Sequence, residues 1–526
     1  MSSVSPRPNI LLVTTDQQHA RTVGALGNEH IKTPHLDRLV DEGVSFDRAY
    51  TASPVCSPSR SSILTGLYPS GHGCWNIGVA LDQEVPTLSA ALAGAGYRTA
   101  LFGKAHFQPV LASGGFESPP NIFDRQFWRG WDGPYYGFER VQMVHGHADE
   151  PSSHGMHFGA WLVEQGVDPD RYFGPRGFHR EGSWDLPEEY HYTRWTADRT
   201  IEFLEERSRA DDEDPFFAWC SFQDPHDAYL APEPWASLYD PAKMPPFVRR
   251  TGEMEDKTAL HRAAVSNDWT AFPGRATGDP YDSDKVVQCL GWATDEIGEE
   301  RARLWAATYY GMVSLIDHHL GRVLATLDRL ELTGDTIVIF TSDHGDYLGN
   351  HGIWLKGPLH YEDVIRVPLL VRWPGRVPAN VRSESLSSLV DLAPTLLEAA
   401  ASGSSTAGAT GAAGDAAAPA ALPWVTGVSQ LHTWLRPHEK SRGWCLVENR
   451  AEVDIYVKTL VTQRYKLNYH LSTDEGELYD LAQDPYEFTN LFDQAGHAEV
   501  ASSMVRRLLQ VSGEVEGPYP PRQSFA

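Results

Sequence analysis

The chain has few cysteines, and their spacing gives no sign of pairing. Only five occur among 526 residues, and their odd number, wide spacing and lack of a CxxC pair argue against a disulfide framework and against a zinc–thiolate site. A reducing, cytoplasmic environment is the simplest interpretation of this usage. The five are Cys56, Cys74, Cys220, Cys289 and Cys445.

Positive charge is scarce as well. The chain carries 44 lysines and arginines against 70 aspartates and glutamates, which gives a formal net charge of −26. Nucleic acids and anionic membranes bind through a positive surface, so neither is an expected partner. An acidic protein that acts on an anionic substrate needs a local positive site made of arginine, lysine or a metal ion. The acidic surface is compatible with a monomer or a dimer.

Long hydrophobic runs are also lacking. The apolar-leaning run from Ile10 to Thr15 is shorter than the hydrophobic region of a signal peptide and ends at the polar Asp16. No run approaches the length of a membrane-spanning helix. The sequence therefore predicts neither a secretory signal nor a membrane anchor. With 41% hydrophobic and 22% charged residues, it is typical of a globular protein.

Buried strands that end in polar residues recur along the chain. "NILLVTTD" is a continuous apolar strand ending at Asp16, and "DTIVIFTSDHG" delivers Asp343 in the same way. The strand after a glycine stop in "LSAALAGAGYRTALFGKAH" ends at Lys104, and "PFFAWCSFQDPH" leads to His226. Ligands bind at the carboxyl ends of strands in open α/β sheets. These ends therefore predict one site at the edge of a large, mainly parallel sheet flanked by helices.

The pattern also predicts the domain organisation. The α/β domain is expected to span residues 1–398, with long, weakly periodic insertions at about 107–190 and 227–300. Residues 399–423 are low-complexity Ala, Gly, Ser and Thr, typical of a loop or linker. The alternating segments "YVKTLVTQRYKLNYH" and "GELYDL" and a final amphipathic helix predict a small C-terminal α+β subdomain with an antiparallel sheet, residues 424–526.

Candidate cation ligands follow two of the strands. Asp16 and Asp343 supply carboxylates, Gln17 a neutral oxygen and His344 a nitrogen. Oxygen-rich ligation favours a hard cation such as Ca²⁺, Mg²⁺ or Mn²⁺ over zinc. A single acid after a strand more often caps the next helix or turn. The prediction therefore depends on the recurrence of acids at several strand ends.

Basic residues stand in glycine- and proline-flanked turns, where they could converge on an anion. For each of them alone, a solvated or structurally satisfied side chain is the simpler interpretation. They are Arg60, Lys104 and His106 of "FGKAH", His226 of "DPHDAY" and Lys356 of "WLKGPLH".

The insertions are rich in histidine and tryptophan. The histidines of "VHGHADEPSSHGMH" could bind a metal, but a solvated insertion is the favoured interpretation. The tryptophans could stack on sugar rings or aryl groups, although packing of long loops is the simpler explanation. These residues are His145, His147, His154 and His157, and Trp128, Trp131, Trp161 and Trp184.

The stretch "SPVCSPSRSSILTG" sets Cys56 among serines and prolines, which predicts a turn and not a packed core. It resembles the signature of the type I, formylglycine-dependent sulfatases of the alkaline phosphatase superfamily, C-x-P-S-R-x-x-x-L-T-G, at every fixed position. The second signature of that family, G-Y-x-T-x-x-x-G-K-x-H, is matched from Gly96 to His106. "TSDHGDYLGNHG", "IRVPLLVRWPG" and "GELYDLAQDPYEFTNL" are also similar to sulfatase segments, so the resemblance covers most of the chain.

The resemblance implies an alkaline-phosphatase-like fold and hydrolysis of a sulfate ester to an alcohol and inorganic sulfate. In that family a formylglycine-generating enzyme oxidises the signature cysteine, here Cys56, to formylglycine (3-oxoalanine). One hydroxyl of its hydrate attacks sulfur, and the second then expels sulfate. One divalent cation is implied, Ca²⁺ first, with Mn²⁺ or Mg²⁺ as alternatives. Its implied ligands are Asp16, Gln17, Cys56, Asp343 and His344.

The same resemblance implies roles for the basic residues. Lys104 and Lys356 would hold sulfate oxygens, and His226 would protonate the leaving oxygen. His106 would deprotonate the second hydroxyl of the hydrate, and Arg60 would anchor the formylglycine. The implied substrate is a small-molecule or saccharide sulfate ester.

The chain departs from the common sulfatase pattern at the metal site. Asp16-Gln17 stands where many sulfatases have two adjacent acids, and His344 stands where they have Asn. Both variants resemble those in related phosphonate monoester hydrolases and in some bacterial sulfatases, but the phosphonate hydrolases typically have Tyr and Thr in place of Lys104 and His106. Sulfate-ester hydrolysis is therefore expected, with phosphonate monoester or phosphodiester hydrolysis as the alternative. A non-catalytic binding homologue is a further alternative, which would apply if Cys56 stays unmodified.

Overall fold

The structure is a computed structural model. It describes residues 7–110, 115–174, 181–266, 292–293, 297–402, 422, 424–452 and 455–516.

The described residues form sixteen strands and thirteen α-helices. The strands are β1 (Asn9–Thr15), β2 (Val44–Tyr50), β3 (Arg98–Gly103), β4 (Arg140–Met143), β5 (Gly182–Trp184), β6 (Phe216–Ser221), β7 (Leu230–Pro232), β8 (Trp292–Ala293), β9 (Thr336–Ser342), β10 (Ile353–Trp354), β11 (Leu369–Arg372), β12 (Val381–Ser388), β13 (Trp444–Glu452), β14 (Ile455–Thr462), β15 (Tyr465–His470) and β16 (Glu475–Asp480). The helices are α1 (Pro34–Glu42), α2 (Cys56–Thr65), α3 (Pro69–His72), α4 (Leu88–Gly94), α5 (Arg125–Gly130), α6 (Met156–Glu164), α7 (Tyr192–Arg209), α8 (Ala259–Ser266), α9 (Glu299–Arg329), α10 (Glu362–Ile365), α11 (Leu392–Ser402), α12 (Leu431–Leu435) and α13 (Ala498–Val515).

The central sheet has eight strands in the order β12-β2-β11-β9-β1-β6-β3-β4. Strand β11 runs antiparallel to its neighbours β2 and β9, and every other neighbouring pair is parallel. Strand β1 lies between β9 and β6, with Thr14 opposite both Thr341 and Ser221. The carboxyl ends of β1, β9, β6 and β3 therefore lie at one edge of the sheet. This confirms the predicted large, mainly parallel sheet.

Helices cover both faces of this sheet, which explains why its central strands are apolar throughout. On β1, Ile10 and Leu12 pack on the face covered by α2, α4 and α11. Leu11 and Val13 point to the opposite face and pack against α1, α7 and α9. All four side chains are fully buried.

The C-terminal part of the chain forms a second sheet, antiparallel and four-stranded, in the order β13-β14-β15-β16. Helix α13 packs against it through Met504, Leu508 and Val511, which share a buried cluster with Leu460 and Leu478. The predicted C-terminal α+β unit with an antiparallel sheet is confirmed.

The region from 107 to 190 is more than an insertion over the sheet edge. It contributes β4, which pairs parallel to β3 with Met143 opposite Gly103 and extends the central sheet. A strand of four residues is too short for a clear two-residue period, which is why the sequence did not reveal it. The histidines of this region, predicted to be solvated, are buried: none of His145, His147, His154 and His157 is more than 9% exposed.

The predicted domain boundaries stay predictions. Helix α11 continues to Ser402, past the boundary placed at residue 398. Most of the low-complexity segment 399–423 lies outside the described residues, as does much of the insertion 227–300. Of the helices in the described part of the chain, none is long and apolar enough to cross a membrane.

Candidate active site

Four strand ends position the site, and backbone hydrogen bonds hold the residues just beyond them. The amide of Asp16 donates to the carbonyl of Asp224 at 3.2 Å. The amide of Asp343 donates to the carbonyl of Thr15 at 3.1 Å, and that of Lys104 to Ser221 at 2.9 Å. The ladder between neighbouring strands thus extends into the site. The polar side chains that follow β1, β3 and β9 are fully buried in consequence.

Cys56 is the first residue of α2 and is 1% exposed. The prediction of a turn outside the core is therefore wrong: Val55 is extended, and the helix begins directly after it. Pro58 lies in the first turn, where a helix tolerates a residue without an N–H. Gly66 ends the helix in the left-handed conformation, at φ 70°, and donates its amide to the carbonyl of Ser62. The helix therefore begins and ends at residues of the C-x-P-S-R-x-x-x-L-T-G motif.

The Sγ atom of Cys56 lies between an acidic and a basic group of side chains. It is 3.3 Å from Nε2 of His344 and 3.5 Å from Oδ1 of Asp16. On the other side, Nζ of Lys356 is 3.1 Å away. Burial and the nearby carboxylate of Asp16 raise the pKa of the thiol, against the effect of the lysines. As a thiol, Cys56 is protonated and weakly nucleophilic at neutral pH.

Arg60 lies one helical turn after Cys56 and is fully buried. Its Nε donates to Oδ2 of Asp343 at 2.7 Å, and its Nη1 donates to the carbonyl of Lys104 and to Oγ of Ser221. Burial opposes its charge, but Asp343 and Asp16 more than compensate and raise its pKa. Arg60 therefore ties α2 to the ends of β3, β6 and β9.

Ligand atoms of Asp16, Cys56, Asp343 and His344 lie within 4.8 Å of one another. His344 places Nδ1 2.9 Å from the carbonyl of Gly345, so its Nε2 faces the centre of this group, 3.6 Å from Oδ1 of Asp16. Burial opposes the charge of Asp16, but Lys104, His226 and Arg60 hold the pKa of this carboxyl well below its usual value. Two carboxylates and one imidazole nitrogen thus converge on one point.

Gln17 adds a neutral oxygen. Its Nε2 donates to Oδ2 of Asp346 at 2.7 Å, while its Oε1 is buried with no hydrogen-bond partner among the described residues. The backbone amide of Gln17 donates to Oδ1 of Asp343 at 3.1 Å. A buried carbonyl oxygen without a donor fits a metal ligand, because such atoms are rarely left unpaired. The residues present therefore fit a divalent cation.

Two lysine–histidine pairs face each other across the site. Nζ of Lys104 contacts Asp16 and lies 2.6 Å from Nε2 of His147. Nζ of Lys356 lies 2.5 Å from Nε2 of His226. The two imidazole rings stack with their centroids 3.5 Å apart and their planes 6° apart. Burial and the lysine charges lower the pKa of both rings, that of His147 to about 3, so each neutral imidazole can accept a hydrogen bond from a lysine N–H.

His106 has both ring nitrogens buried and without a hydrogen-bond partner among the described residues. Its ring meets that of His145 edge to face at 5.0 Å. Its backbone has a φ of 59°, and its backbone N–H donates a hydrogen bond to Oε2 of Glu117 at 3.0 Å. Burial raises the pKa of Glu117 to about 7. His106 therefore points a free imidazole into the site from a fixed backbone.

The sequence predicted the site side chains apart from Glu117, Asp346, His145 and His147, and it named the two histidines only as part of an insertion. One signal could have found the two histidines: "RVQMVHGH" is another apolar segment that ends in polar residues, like the four strand ends that were recognised. Asp227, next to His226, was also missed; its Oδ1 lies 3.1 Å from Nδ1 of His226. No motif marks Asp227, because its function depends on its neighbour.

Comparisons with known proteins agree with this geometry. The sulfatase family model matches residues 8–402, and a model of the C-terminal part of N-sulphoglucosamine sulphohydrolase matches residues 448–514. The uncharacterized sulfatase YidJ of Escherichia coli is 28% identical over 520 residues, 98% of this chain and 88% of the relative. The arylsulfatase of Clostridium perfringens is 28% identical over 525 residues, 97% of this chain and 96% of the relative. The crystal structure of a phosphonate monoester hydrolase of Agrobacterium radiobacter superposes with a TM-score of 0.74 at 24% identity, covering 98% and 100% of the two chains.

Proposed function

Since this chain belongs to the sulfatase family, we propose that it is a sulfuric ester hydrolase that cleaves a sulfate ester to an alcohol and inorganic sulfate. The observation that carries the proposal is the position of residue 56. Its side chain lies 3.1 Å from Lys356, one of the cationic groups that suit a sulfate. It also lies 3.3 Å from His344, one of the side chains that could bind a metal cation. Arylsulfatases and other sulfatases among its relatives support the same reaction.

The nucleophile in this proposal is formylglycine, made from Cys56 by a formylglycine-generating enzyme. The hydrate of formylglycine supplies two hydroxyls, one to attack sulfur and one to release the sulfate afterwards. The raised pKa of the buried thiol supports this, because an unmodified Cys56 would react poorly. The C-x-P-S-R motif at the start of α2 supports it independently.

The proposed cation is Ca²⁺, with Mn²⁺ or Mg²⁺ as alternatives, held by Asp16, Gln17, Asp343 and His344 beside residue 56. When bound, it would add positive charge against the sulfate oxygens and lower the pKa of a nearby hydroxyl. Three of the four side chains offer oxygen, which supports a hard cation over zinc.

The chain's own side chains account for the remaining steps. Lys104 and Lys356 are the proposed binders of the sulfate oxygens, a role supported by their contacts with Asp16 and with residue 56. His226 is the proposed acid for the leaving alcohol: its Nε2, 2.5 Å from Nζ of Lys356, would take a proton from that ammonium group and pass it to the leaving oxygen. Asp227 lies on its other ring nitrogen and holds the ring in place. His106, whose ring nitrogens have no other partner among the described residues, is the proposed base for sulfate release.

The substrate class and the compartment also belong to this proposal. We infer a small-molecule or saccharide sulfate ester, and a cytoplasmic location supported by the unpaired state of Cys56, Cys74, Cys220 and Cys445. Phosphonate monoester or phosphodiester hydrolysis is the second candidate. Gln17 and His344 as cation ligands favour it, whereas Lys104 and His106 favour the sulfatase reaction.

Turnover of two substrates by protein with verified formylglycine tests the proposal. Peptide mass should show a loss of about 18 Da at residue 56 relative to cysteine. An aryl sulfate should then be hydrolysed faster than the matching aryl phosphonate. The reverse order would favour the second candidate. A thiol that stays unmodified in the natural host, or no sulfate release from aryl, alkyl and saccharide sulfates, would contradict an enzymatic role.

A further inference from the structure

A further group of side chains that could hold a metal ion lies outside the active site. His261 of α8, His470 at the end of β15 and Glu477 of β16 each place one ligand atom within 4.8 Å of the others. All three are buried, at 1%, 5% and 0% exposure. Helix α8 belongs to the region predicted as an insertion, whereas the two strands belong to the C-terminal sheet. The group therefore joins segments about 200 residues apart in the sequence.

The spacing of the ligand atoms matches that around a small metal ion. Nδ1 of His261 is 3.0 Å from Oε1 of Glu477, and Nε2 of His470 is 3.6 Å from Oε2 of the same carboxylate. Two ligands bonded at about 2.0–2.1 Å to a tetrahedral zinc ion lie roughly 3.3 Å from each other. The two observed separations fall on either side of that value.

Hydrogen bonds between the three side chains do not explain the arrangement. Although they approach so closely, Nε2 of His470 and Oε1 of Glu477 have no partner with hydrogen-bond geometry among the described residues. A contact with Oγ1 of Thr258 at 3.0 Å can satisfy Nδ1 of His261, but it leaves the other two atoms unpaired. Buried polar atoms are nearly always paired, so two unpaired atoms within one such group of side chains indicate a missing ion.

The carboxylate of this group is held by further side chains. Nδ2 of Asn468 donates to Oε2 of Glu477 at 3.0 Å, and Oγ1 of Thr459 holds Asn468 in turn. Such outer contacts orient metal-binding carboxylates.

We propose that His261, His470 and Glu477 form a second metal site, for Zn²⁺ or a similar first-row divalent ion. Two imidazoles and one carboxylate are ligands that zinc favours, in contrast to the oxygen-rich group at residue 56. The ion has a structural role. It joins α8 to the C-terminal sheet and supports Tyr361, whose ring meets that of His261 at 5.2 Å and which lies five residues after Lys356.

Metal content of the full-length, tag-free protein tests the proposal. All comparisons use the Cys56→Ala, Asp343→Asn background, because the first site could also bind zinc while Cys56 is a thiol. After exposure to Zn²⁺ and removal of the loosely bound ion, this background should retain one equivalent of zinc by elemental analysis. Adding His470→Ala should remove that equivalent, whereas adding His432→Ala should not. His432 is the matched control, since it forms a 3.0 Å pair with Glu439 on the surface.

A second variant covers the case in which His470→Ala does not fold. Glu477→Gln keeps the shape of the side chain and its bond to Asn468 but removes the anionic ligand. Zn²⁺ should raise the unfolding temperature of the background protein and leave that of the Glu477→Gln protein unchanged. No retained zinc in the background, or equal zinc in the background and the His470→Ala protein, would overturn the proposal.

Discussion

Cys56 is buried at the start of a helix, yet its chemistry and its packing can be separated. Replacing Cys56 with Ala removes the atom that formylglycine formation requires and leaves a small apolar side chain that α2 accepts. We expect kcat/KM for an aryl sulfate to fall by roughly three orders of magnitude or more, as when other nucleophiles are removed. Sulfate release measures the loss of activity, and circular dichroism checks that the variant is still folded.

Cys74→Ala is the matched control for this variant. Cys74 is also buried and free, and its Sγ contacts the carbonyl of Val79 at 3.0 Å, away from the lysine–histidine pairs. We expect this variant to keep most of the activity. Turnover by the Cys56→Ala protein at a tenth or more of the wild-type rate would mean that another residue is the nucleophile.

His226 and His147 stack on each other but are expected to contribute differently. Only His226 is proposed to donate a proton to the leaving alcohol, so His226→Asn should affect alkyl sulfates far more than nitrophenyl sulfate, whose leaving group needs no proton. We expect a loss of about 10²–10⁴ in kcat/KM for the alkyl esters. The measurement is a series of esters with leaving groups of different pKa.

His147→Asn serves as the comparison in that series. Because His147 contacts Lys104 and not the leaving group in the proposed arrangement, its loss should lower the rates of all esters by a similar factor. The two assignments would be exchanged if the loss in kcat/KM of the His226→Asn protein did not depend on the pKa of the leaving group, or if that of the His147→Asn protein depended on it strongly.

His351 makes the stability of the protein depend on pH. It is 3% exposed, with Nδ1 2.6 Å from Glu253 and Nε2 3.3 Å from Asp363. Burial opposes its charge, but these carboxylates raise its pKa to about 8 from 6.5. The folded protein therefore binds the proton more tightly. Its contribution, about 2 kcal/mol, is fully present below pH 6.5 and is lost as the pH rises through 8.

The His351→Asn variant should lack this dependence. Asn tolerates the left-handed backbone of this position, at φ 56°. Between pH 6 and pH 9, the free energy of unfolding of the wild type, measured with urea, should fall by about 2 kcal/mol more than that of the variant. Equal losses in both proteins would assign the alkaline destabilisation to other groups.

At the scale of elements, the sequence predicted the strands that carry most of the site but not all of the sheet. Strands β1, β3, β6 and β9 are six or seven residues long, have apolar centres and are followed by polar side chains, so their pattern is clear. Strand β4 has four residues, and β11 runs against its neighbours. Strand direction depends on pairing between distant segments, which single-segment patterns do not contain.

The close approach of β3 and β6 depends on Gly103, directly before Lys104. A Cβ atom at this position would lie 1.9 Å from the carbonyl oxygen of Ser221, and its φ is 99°. We expect Gly103→Ala to lower the free energy of unfolding by roughly 3–5 kcal/mol, because backbone must move. It should also reduce turnover, since Lys104 moves with the strand.

Gly73→Ala separates backbone strain from the steric clash. Gly73 has a φ of 79°, but nothing lies within 4 Å of the position of its added Cβ. The expected loss there is only about 1–2 kcal/mol. Denaturant unfolding of the two variants gives the comparison, and equal losses would show that β3 and β6 can separate at little cost.

At the scale of the whole molecule, the site is an assembly of distant segments. Asp16 and Asp343 are brought together by pairing of β1 with β9, and His147 reaches Lys104 only because β4 pairs with β3. The motifs therefore identified the residues with distinctive neighbours in the sequence. His147 and Glu117 make contacts that only the folded chain creates, so their sequence context carries little signal.

The C-terminal sheet is tied to the main sheet by buried polar contacts, which argues that the two unfold together. Asp391, just before α11, pairs with Arg442 at 2.5 Å, and both side chains are at most 3% exposed. The amide of Glu448 in β13 donates to the carbonyl of Ala52, and Nζ of Lys466 in β15 donates to the carbonyl of His360. These contacts link the C-terminal sheet to the segments that follow β2 and Lys356.

Asp391→Asn tests that coupling. The change leaves the Arg442 charge buried without an anionic partner, and removing one member of a buried ion pair costs about 3–5 kcal/mol. If the two sheets unfold as one unit, enzymatic activity and tryptophan fluorescence should be lost at the same, lower denaturant concentration. If fluorescence changes in two steps, with activity lost only in the second, the C-terminal sheet unfolds by itself and the site does not depend on it.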